Sequence, residues 1–310
     1  MEDRPGAMFS RMTQLYFAYG SNLELQDWRT YCRRNGLHAD GLQPLHPAVA
    51  PDHTLAFTRY SRKRGGGVLD ILPRRGAAVT GMLFSVCDAT LAALDHKEGA
   101  PNAYERVPIT VLDGDGAEIE AFTYRVRPQD RAPFVAPHAD YLAVCAAGRA
   151  GFAIDAGILD EAAAGRPAGE IHTAFVYGTL MRGERGDHFW SRHETPPEPR
   201  AARVAGLLKD CGPYPGMVPP LPQEAGADTL VRGELLAFAD ITSVLDAFDG
   251  YEDFAGYGAP GNVYRRVPVA AREEVAGAVT EVRAWAYILL DHDRFPVIAG
   301  GCWRSHRAAG

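Results

Sequence analysis

A chain of 310 residues, 46% hydrophobic and 23% charged, has ordinary globular composition; it is long enough for two cores and leaves no room for a long disordered tail. A formal charge of -7 and the lack of any long Lys/Arg run argue against nucleic acid as a partner; the densest basic patch, Arg62-Lys63-Arg64, reads as a solvated loop. Cys32, Cys87, Cys145, Cys211 and Cys302 form no CxxC pair and fit reduced thiols in a cytoplasmic protein, while neither Met1-Glu-Asp-Arg-Pro-Gly nor any apolar stretch suggests secretion or membrane insertion.

In chain order, Leu15-Tyr16-Phe17-Ala18 predicts a buried strand that runs into the glycine turn Tyr19-Gly20-Ser21-Asn22-Leu23. A helix is expected over Leu25 to Arg34, stopped by Asn35-Gly36. Strands follow at Thr54 to Tyr60, Ala77 to Val86, Val107 to Leu112 and Glu118 to Arg127, with Gly65-Gly66-Gly67 and Asp113-Gly114-Asp115-Gly116 as turns. Asp88 is placed to cap a short helix, Ala89 to His96, whose end delivers Glu98. Tyr141 to Ala146 and Ile158 to Ala164 predict further helical stretches.

Gly165-Arg166-Pro167-Ala168-Gly169 is the best boundary, which divides the chain into domains at 14–165 and 171–304. Beyond it strands are expected at Thr173 to Tyr177, Ala201 to Leu208, Leu230 to Ala237, Val267 to Ala271 and Val282 to Leu290. A helix over Ile241 to Phe248 is capped by Asp240, and Pro196-Pro197 and Pro213 to Pro222 read as surface loops. Each half is mostly strand with a few helices around a mixed sheet, an α+β design.

Three elements recur in the same order in the two halves. Tyr177-Gly178-Thr179-Leu180, after Ala174-Phe175-Val176, echoes the first glycine turn at an offset of 158 residues. Leu94-Asp95-His96-Lys97-Glu98-Gly99 is echoed by Leu245-Asp246-Ala247-Phe248-Asp249-Gly250, the two acids being 151 residues apart. Tyr104-Glu105-Arg106-Val107-Pro108 is echoed by Tyr264-Arg265-Arg266-Val267-Pro268. Each turn offers backbone amides to an anion, and Gly20 permits the backbone geometry this demands. No Gly-x-Ser-x-Gly elbow or repeated histidine supports Ser21 as a nucleophile. The ten histidines show no metal-ligand spacing and His96 is expected to face solvent, while no GxGxxG follows a strand. No metal or cofactor is called for.

These residues resemble the gamma-glutamylcyclotransferase family, whose members carry a Tyr-Gly-Ser-Asn-Leu loop and an essential glutamate in a Leu-Asp-x-x-Glu-Gly segment. The likeness spans about residues 15–160 and includes Gly65 to Ile71, Gly81, Tyr104, Tyr124 and Pro137 to Gly148. The second half resembles the gamma-glutamylamine cyclotransferase and AIG2-like branch through Val176 to Gly183 and Gly212-Pro213-Tyr214-Pro215-Gly216. The resemblance implies two tandem small mixed β-barrels with flanking helices. It also implies that the loops bind a small-molecule gamma-glutamyl substrate: Tyr19, Gly20, Ser21, Asn22 and Leu23 in the first, and Tyr177, Gly178, Thr179 and Leu180 in the second. Tyr104 and Tyr124 are expected to supply walls and phenolic hydrogen bonds.

A gamma-glutamyl amide carries its own nucleophile, the α-amine, so the resemblance implies intramolecular aminolysis to 5-oxoproline with Glu98 moving the proton. Folding the glutamyl chain into a near-attack pose and holding the developing oxyanion are the remaining tasks, and the amides of Gly20 to Leu23 are suited to the second. In the other half the family's glutamate is replaced by Asp249, one methylene shorter, which implies a degenerate or differently specific domain; Glu252, three residues on, is a candidate substitute. Gamma-glutamyl amino acids, gamma-glutamylamines and a gamma-glutamyl protecting group on a biosynthetic intermediate all remain open as substrates. Two other readings stay open: a non-catalytic glutamyl-binding protein and a hydrolase releasing glutamate.

Overall fold

The apolar run ahead of the first glycine turn forms a strand, β1 (Gln14–Ala18), whose last three residues are buried. It is one of five strands that close a barrel with β2 (Leu42–Ser61), β3 (Gly66–Val86), β4 (Tyr104–Leu112) and β5 (Glu118–Val126), in the order β1-β3-β2-β4-β5. The computed structural model describes residues 13–192, 194–219, 229–275 and 277–309. All strand pairs in this barrel are antiparallel except the closing one, where Tyr16 of β1 meets Phe122 of β5 in parallel.

The second barrel repeats that plan with β6 (Thr173–Val176), β7 (Arg200–Ala205), β10 (Leu230–Ala237), β11 (Tyr264–Val275) and β12 (Ala278–Leu289). Its cyclic order, β6-β10-β7-β11-β12, is the first order strand for strand, and it too closes through one parallel pair, Ala174 with Trp285. A short ribbon of β8 (Leu207–Asp210) and β9 (Pro215–Val218) is inserted in the second barrel. The tandem α+β architecture read from the sequence is therefore the observed one.

Helices flank the barrels: α1 (Leu25–Asn35), α2 (Asp88–Glu98), α3 (Ala139–Gly151) and α4 (Gly157–Ala163) on the first, with α5 (His188–Ser191), α6 (Thr242–Tyr251) and α7 (Trp303–Ala309) on the second. Gly36 ends α1 in the left-handed region at φ 64°. The N-cap of α2 is Cys87, with Asp88 already helical, and Asp240 accepts from Thr242 N (2.9 Å) one residue ahead of the α6 N-cap, Ile241. Among the described residues no helix is long and apolar enough to cross a membrane.

Several expected boundaries move for identifiable reasons. β2 begins at Leu42 rather than Thr54, despite Pro44, Pro47 and Pro51, because it pairs with β4 only at Val49 and its register breaks beside Pro44 and Pro51. Gly66 and Gly67 start β3 rather than turning; added Cβ atoms there would strike the backbone of residues 135–138. The strand expected over Ala201 to Leu208 breaks at Gly206, and Pro215–Val218 is buried strand rather than surface loop. Pro197 is likewise buried. The expectations for Met1 to Gly6 and for Pro220 to Pro222 lie outside the described residues.

The barrels meet through both backbone and charge. Ala78 N donates to Gly169 O (2.9 Å) and Ile171 N to Gly76 O (3.0 Å), while Ala78 and Leu112 are buried in the second barrel's core. Arg266 of β11 is fully buried and grips Asp52 of β2 at 2.7 Å, and Arg265 pairs with Glu118 at 2.7 Å. A buried arginine is tolerable when its charge is matched in this way.

Each barrel relies on one glycine opposite its first strand. A Cβ on Gly81 would strike the Ala18 carbonyl and stand 2.6 Å from the Phe17 ring; on Gly233 it would strike the Val176 carbonyl and stand 2.7 Å from the Phe175 ring. Gly81→Ala and Gly233→Ala are each expected to destabilise by about 1–3 kcal/mol in denaturant unfolding, as overpacked cores do. Gly114→Ala, at a position with open space around it, serves as the control.

Candidate functional site

In the first barrel the β1 strand delivers Tyr19 to the barrel mouth, and its hydroxyl donates to the Tyr124 carbonyl of β5 (2.6 Å). The chain then folds into a single turn at Ser21–Leu23 in which Leu23 N donates back to Gly20 O (3.0 Å). The amides of Gly20, Ser21 and Asn22 make no hydrogen bond among the described residues. These three residues line a small cavity of about 30 Å³ together with Glu98, Tyr19, Tyr104 and Tyr124. Leu23 is not part of it: its side chain is buried against Gly148 and its amide is spent in the turn.

Glu98 is the last residue of α2, and Gly99 stops the helix at φ 65° so that the carboxylate turns into the cavity. Its Oε1 accepts from Asn22 Nδ2 (2.8 Å), which also donates to the Tyr16 hydroxyl (2.8 Å). Burial pushes the Glu98 carboxyl above the usual range, and Lys97, the Asn22 hydrogen bond and Arg64 draw it part of the way back. The tyrosine hydroxyls are largely committed: Tyr104 donates to Leu69 O (2.7 Å) and Tyr124 to Asp95 Oδ1 (2.6 Å). They serve as fixed walls, with their donors already used.

An adjoining hollow of about 100 Å³ shares Ser21, Glu98, Tyr104 and Tyr141 and adds a cationic rim of Arg59, Lys63, Arg64 and Lys97. Arg64 and Lys97 share a single carboxylate, Asp27, at 3.1 and 3.0 Å, so the rim carries excess positive charge. Sequence reasoning missed Tyr16, Arg59 and Lys97 as site residues, and it read Lys63 and Arg64 as part of a solvated loop, whereas they line the hollow beside Glu98. Tyr141 lay inside the Pro137 to Gly148 segment without being singled out. His96 is exposed, as expected, and meets the Tyr31 hydroxyl at 2.9 Å.

The second barrel copies the tyrosine scaffold of the first. Tyr177 donates to the Tyr287 carbonyl (2.7 Å) as Tyr19 does to Tyr124, and Tyr264 donates to Pro215 O (2.9 Å) as Tyr104 does to Leu69. Tyr177, Gly178, Thr179 and Leu180 line a cavity of about 210 Å³ with Tyr264 and Tyr287. Asp249 does not line it. Its Oδ1 accepts from the Tyr287 hydroxyl (2.5 Å) and faces Arg266 Nε (3.1 Å), while its Oδ2 accepts from Arg75 of the first barrel (2.6 Å).

Those bonds make Asp249 the counterpart of Asp95, which takes the Tyr124 hydroxyl and faces Arg106 (3.8 Å). The residue that lines the second cavity in the place of Glu98 is Glu252, and both pairs stand at an offset of 154 residues. The helix ends agree: Asp253 takes the left-handed conformation (φ 50°) that Gly99 takes in the first barrel, and Phe254 N bonds Asp249 O (2.9 Å) as Ala100 N bonds Asp95 O (2.9 Å). Leu91 and Leu94 then correspond to Leu245 and Phe248, so the matching Leu-Asp strings lie one helical turn out of step. Leu180 stands where the first loop has Asn22 and offers the acid no donor. Burial, helped by Asp253 and opposed by Arg185, pushes the Glu252 carboxyl up to about 8.

Among the described residues no group of His, Cys, Asp and Glu is arranged to hold a metal. A family model described as gamma-glutamyl cyclotransferase, AIG2-like, matches residues 16–143 and again 174–305. Among solved structures, a gamma-glutamyl cyclotransferase is 23% identical over 45% of this chain and 79% of its own, with a TM-score of 0.40. An uncharacterized protein from Homo sapiens is 25% identical over 45% and 79%, with a TM-score of 0.39. YkqA from Bacillus subtilis is 14% identical over 91% and 85%, with a TM-score of 0.32. No curated protein matches the chain.

A carboxyl raised in the folded state keeps its proton there at pH values where the unfolded chain has already lost it, so stability falls as pH climbs from the ordinary glutamate range to the folded value. For Glu252 that window runs from roughly 4 to about 8. Glu252→Gln is therefore expected to melt above wild type at pH 9 and together with it at pH 4, as measured by thermal denaturation. Carboxyl NMR of glutamate-labelled protein should show one resonance titrating near 8 that the variant lacks.

Proposed function

This chain belongs to the gamma-glutamyl cyclotransferase, AIG2-like family, and from that premise we propose that its first barrel, within a cytoplasmic protein of two domains at 14–165 and 171–304, converts a gamma-glutamyl amide to 5-oxoproline and a free amine. The observation that carries the reading is the Glu98 carboxylate, oriented by Asn22 at 2.8 Å in a tyrosine-walled cavity beside three amides that make no hydrogen bond among the described residues. The substrate's α-amine attacks its γ-carbonyl carbon. Glu98 takes a proton from that nitrogen and returns it to the leaving nitrogen as the old C–N bond breaks, so no water is consumed. The amides of Gly20, Ser21 and Asn22 receive the carbonyl oxygen as it gains charge, or the substrate carboxylate.

The tyrosine walls fixed around Glu98 suit this chemistry because the chief task is to hold a flexible chain folded. The rim of Arg59, Lys63, Arg64 and Lys97, matched only in part by Asp27, favours a leaving group that bears a carboxylate. Gamma-glutamyl amino acids therefore rank above gamma-glutamylamines for this barrel.

Mass-spectrometric detection of 5-oxoproline from gamma-glutamyl amino acids tests the reading. Glu98→Gln should lower that rate by at least about a hundredfold, the usual worth of a positioned proton carrier; an undiminished rate, or glutamate as the product, would sink it. Lys63→Ala should raise KM by up to about fivefold at unchanged kcat, the scale of an exposed charge contact, and the effect should shrink in high salt.

A further inference from the structure

The second barrel repeats the tyrosine contacts of the first cavity, though not the Asn22 bond to the acid, and its acid is displaced in the sequence. We propose that the second barrel is a second active site, in which Glu252 rather than Asp249 carries the proton, and that it takes gamma-glutamyl amides whose leaving amine bears no carboxylate. The inference rests on the cyclotransferase reading of the first barrel and extends it to residues that the Leu-Asp motif does not mark.

Three sets of observations support it. The hydroxyl of Tyr287 and the side chain of Arg266 fix Asp249 outside the cavity, as Tyr124 and Arg106 fix Asp95, so neither aspartate lines the cavity of its barrel. Glu252 lies at the helix end, before a left-handed Asp253, and lines the same cavity as Gly178, Thr179 and Leu180. Its charge acts on Tyr177, Tyr264 and Tyr287, the counterparts of Tyr19, Tyr104 and Tyr124, on which the charge of Glu98 acts.

The choice of leaving group follows from the lining charge. The second cavity sets one cation, Arg185, against Glu252 and Asp253, whereas the first site sets four cations around Glu98. Arg185 is moreover tied to the Tyr251 hydroxyl (3.2 Å). A carboxylate on the leaving amine would meet one guanidinium beside two acids there rather than the four cations of the first site, and the volume of about 210 Å³ accepts a bulkier amine. The step balances as in the first barrel: the α-amine bonds to the γ-carbonyl carbon, Glu252 accepts one proton from it and delivers one to the departing nitrogen, and 5-oxoproline and the amine leave.

The full-length chain and its Glu98→Gln, Glu252→Gln and Asp249→Asn variants are each given two sets of gamma-glutamyl amides, with and without a carboxylate on the leaving amine, and 5-oxoproline is measured. Glu252→Gln is expected to lose turnover of the carboxylate-free set by at least about a hundredfold and to keep the other; Glu98→Gln should show the reverse. Asp249→Asn should cost less than about tenfold on either set. Thermal transitions check folding, and Glu252→Ala repeats the comparison if glutamine disturbs the barrel. The inference is overturned if wild type leaves the carboxylate-free set untouched, or if Glu252→Gln turns it over undiminished. Retained turnover of the carboxylate-bearing set then leaves the first-barrel reading standing, and its loss overturns both.

Discussion

A tyrosine hydroxyl bonded to a backbone carbonyl holds each site together. Tyr19 and Tyr177 directly follow the first strand of their barrels and donate to the carbonyls of Tyr124 and Tyr287 on the last strand. These are the strands that pair in parallel, at Tyr16 with Phe122 and Ala174 with Trp285. The same bond that latches the closing seam thus fixes where the glycine loop leaves the barrel. The carbonyl's own side chain then reaches the helix that bears the acid, through Asp95 or Asp249. Loop, seam and acid helix are linked by two hydrogen bonds.

Given that frame, the two acids differ chiefly in what opposes the cost of burial. Glu98 has Asn22 as a donor and Lys97 and Arg64 nearby. Glu252 has a leucine in the place of that asparagine and an aspartate beside it. The loop residue and the charges beside the acid therefore differ between the copies while the tyrosine scaffold is kept, Tyr264 and Tyr104 each holding a carbonyl at the cavity wall.

Much of this was legible in the sequence, and the failures are instructive. Two glycine turns behind apolar strands, two Tyr-x-Arg strand starts and the Gly36 stop all have local causes and appear where local rules put them. The tyrosine walls were in reach, since both last strands carry one. The sequence groups the Leu23 amide with those of Gly20 to Asn22, but a single helical turn consumes it. Leu-Asp-x-x-acid-Gly reads alike in both halves and pairs Asp249 with Glu98. A glycine after an acid is a helix stop only when it adopts the left-handed conformation: Gly99 does so, while Gly250 lies within α6 and leaves the stop to Asp253. Strings record the letters; the cap decides which letter reaches the cavity.

The bond from Arg75 to Asp249 makes the duplication unequal. In the first barrel the aspartate that steadies the last-strand tyrosine is met by Arg106 of the same barrel. In the second it is met by Arg266 and also by a guanidinium that belongs to its neighbour, and Arg266 in turn is neutralised across the junction by Asp52. The second cavity's wall hangs on counter-charges supplied by the first barrel, whereas the first borrows none for its own tyrosine. One copy keeps the charges around its last-strand tyrosine within its own barrel and the other shares them across the junction, so the two cavities are not electrostatically interchangeable.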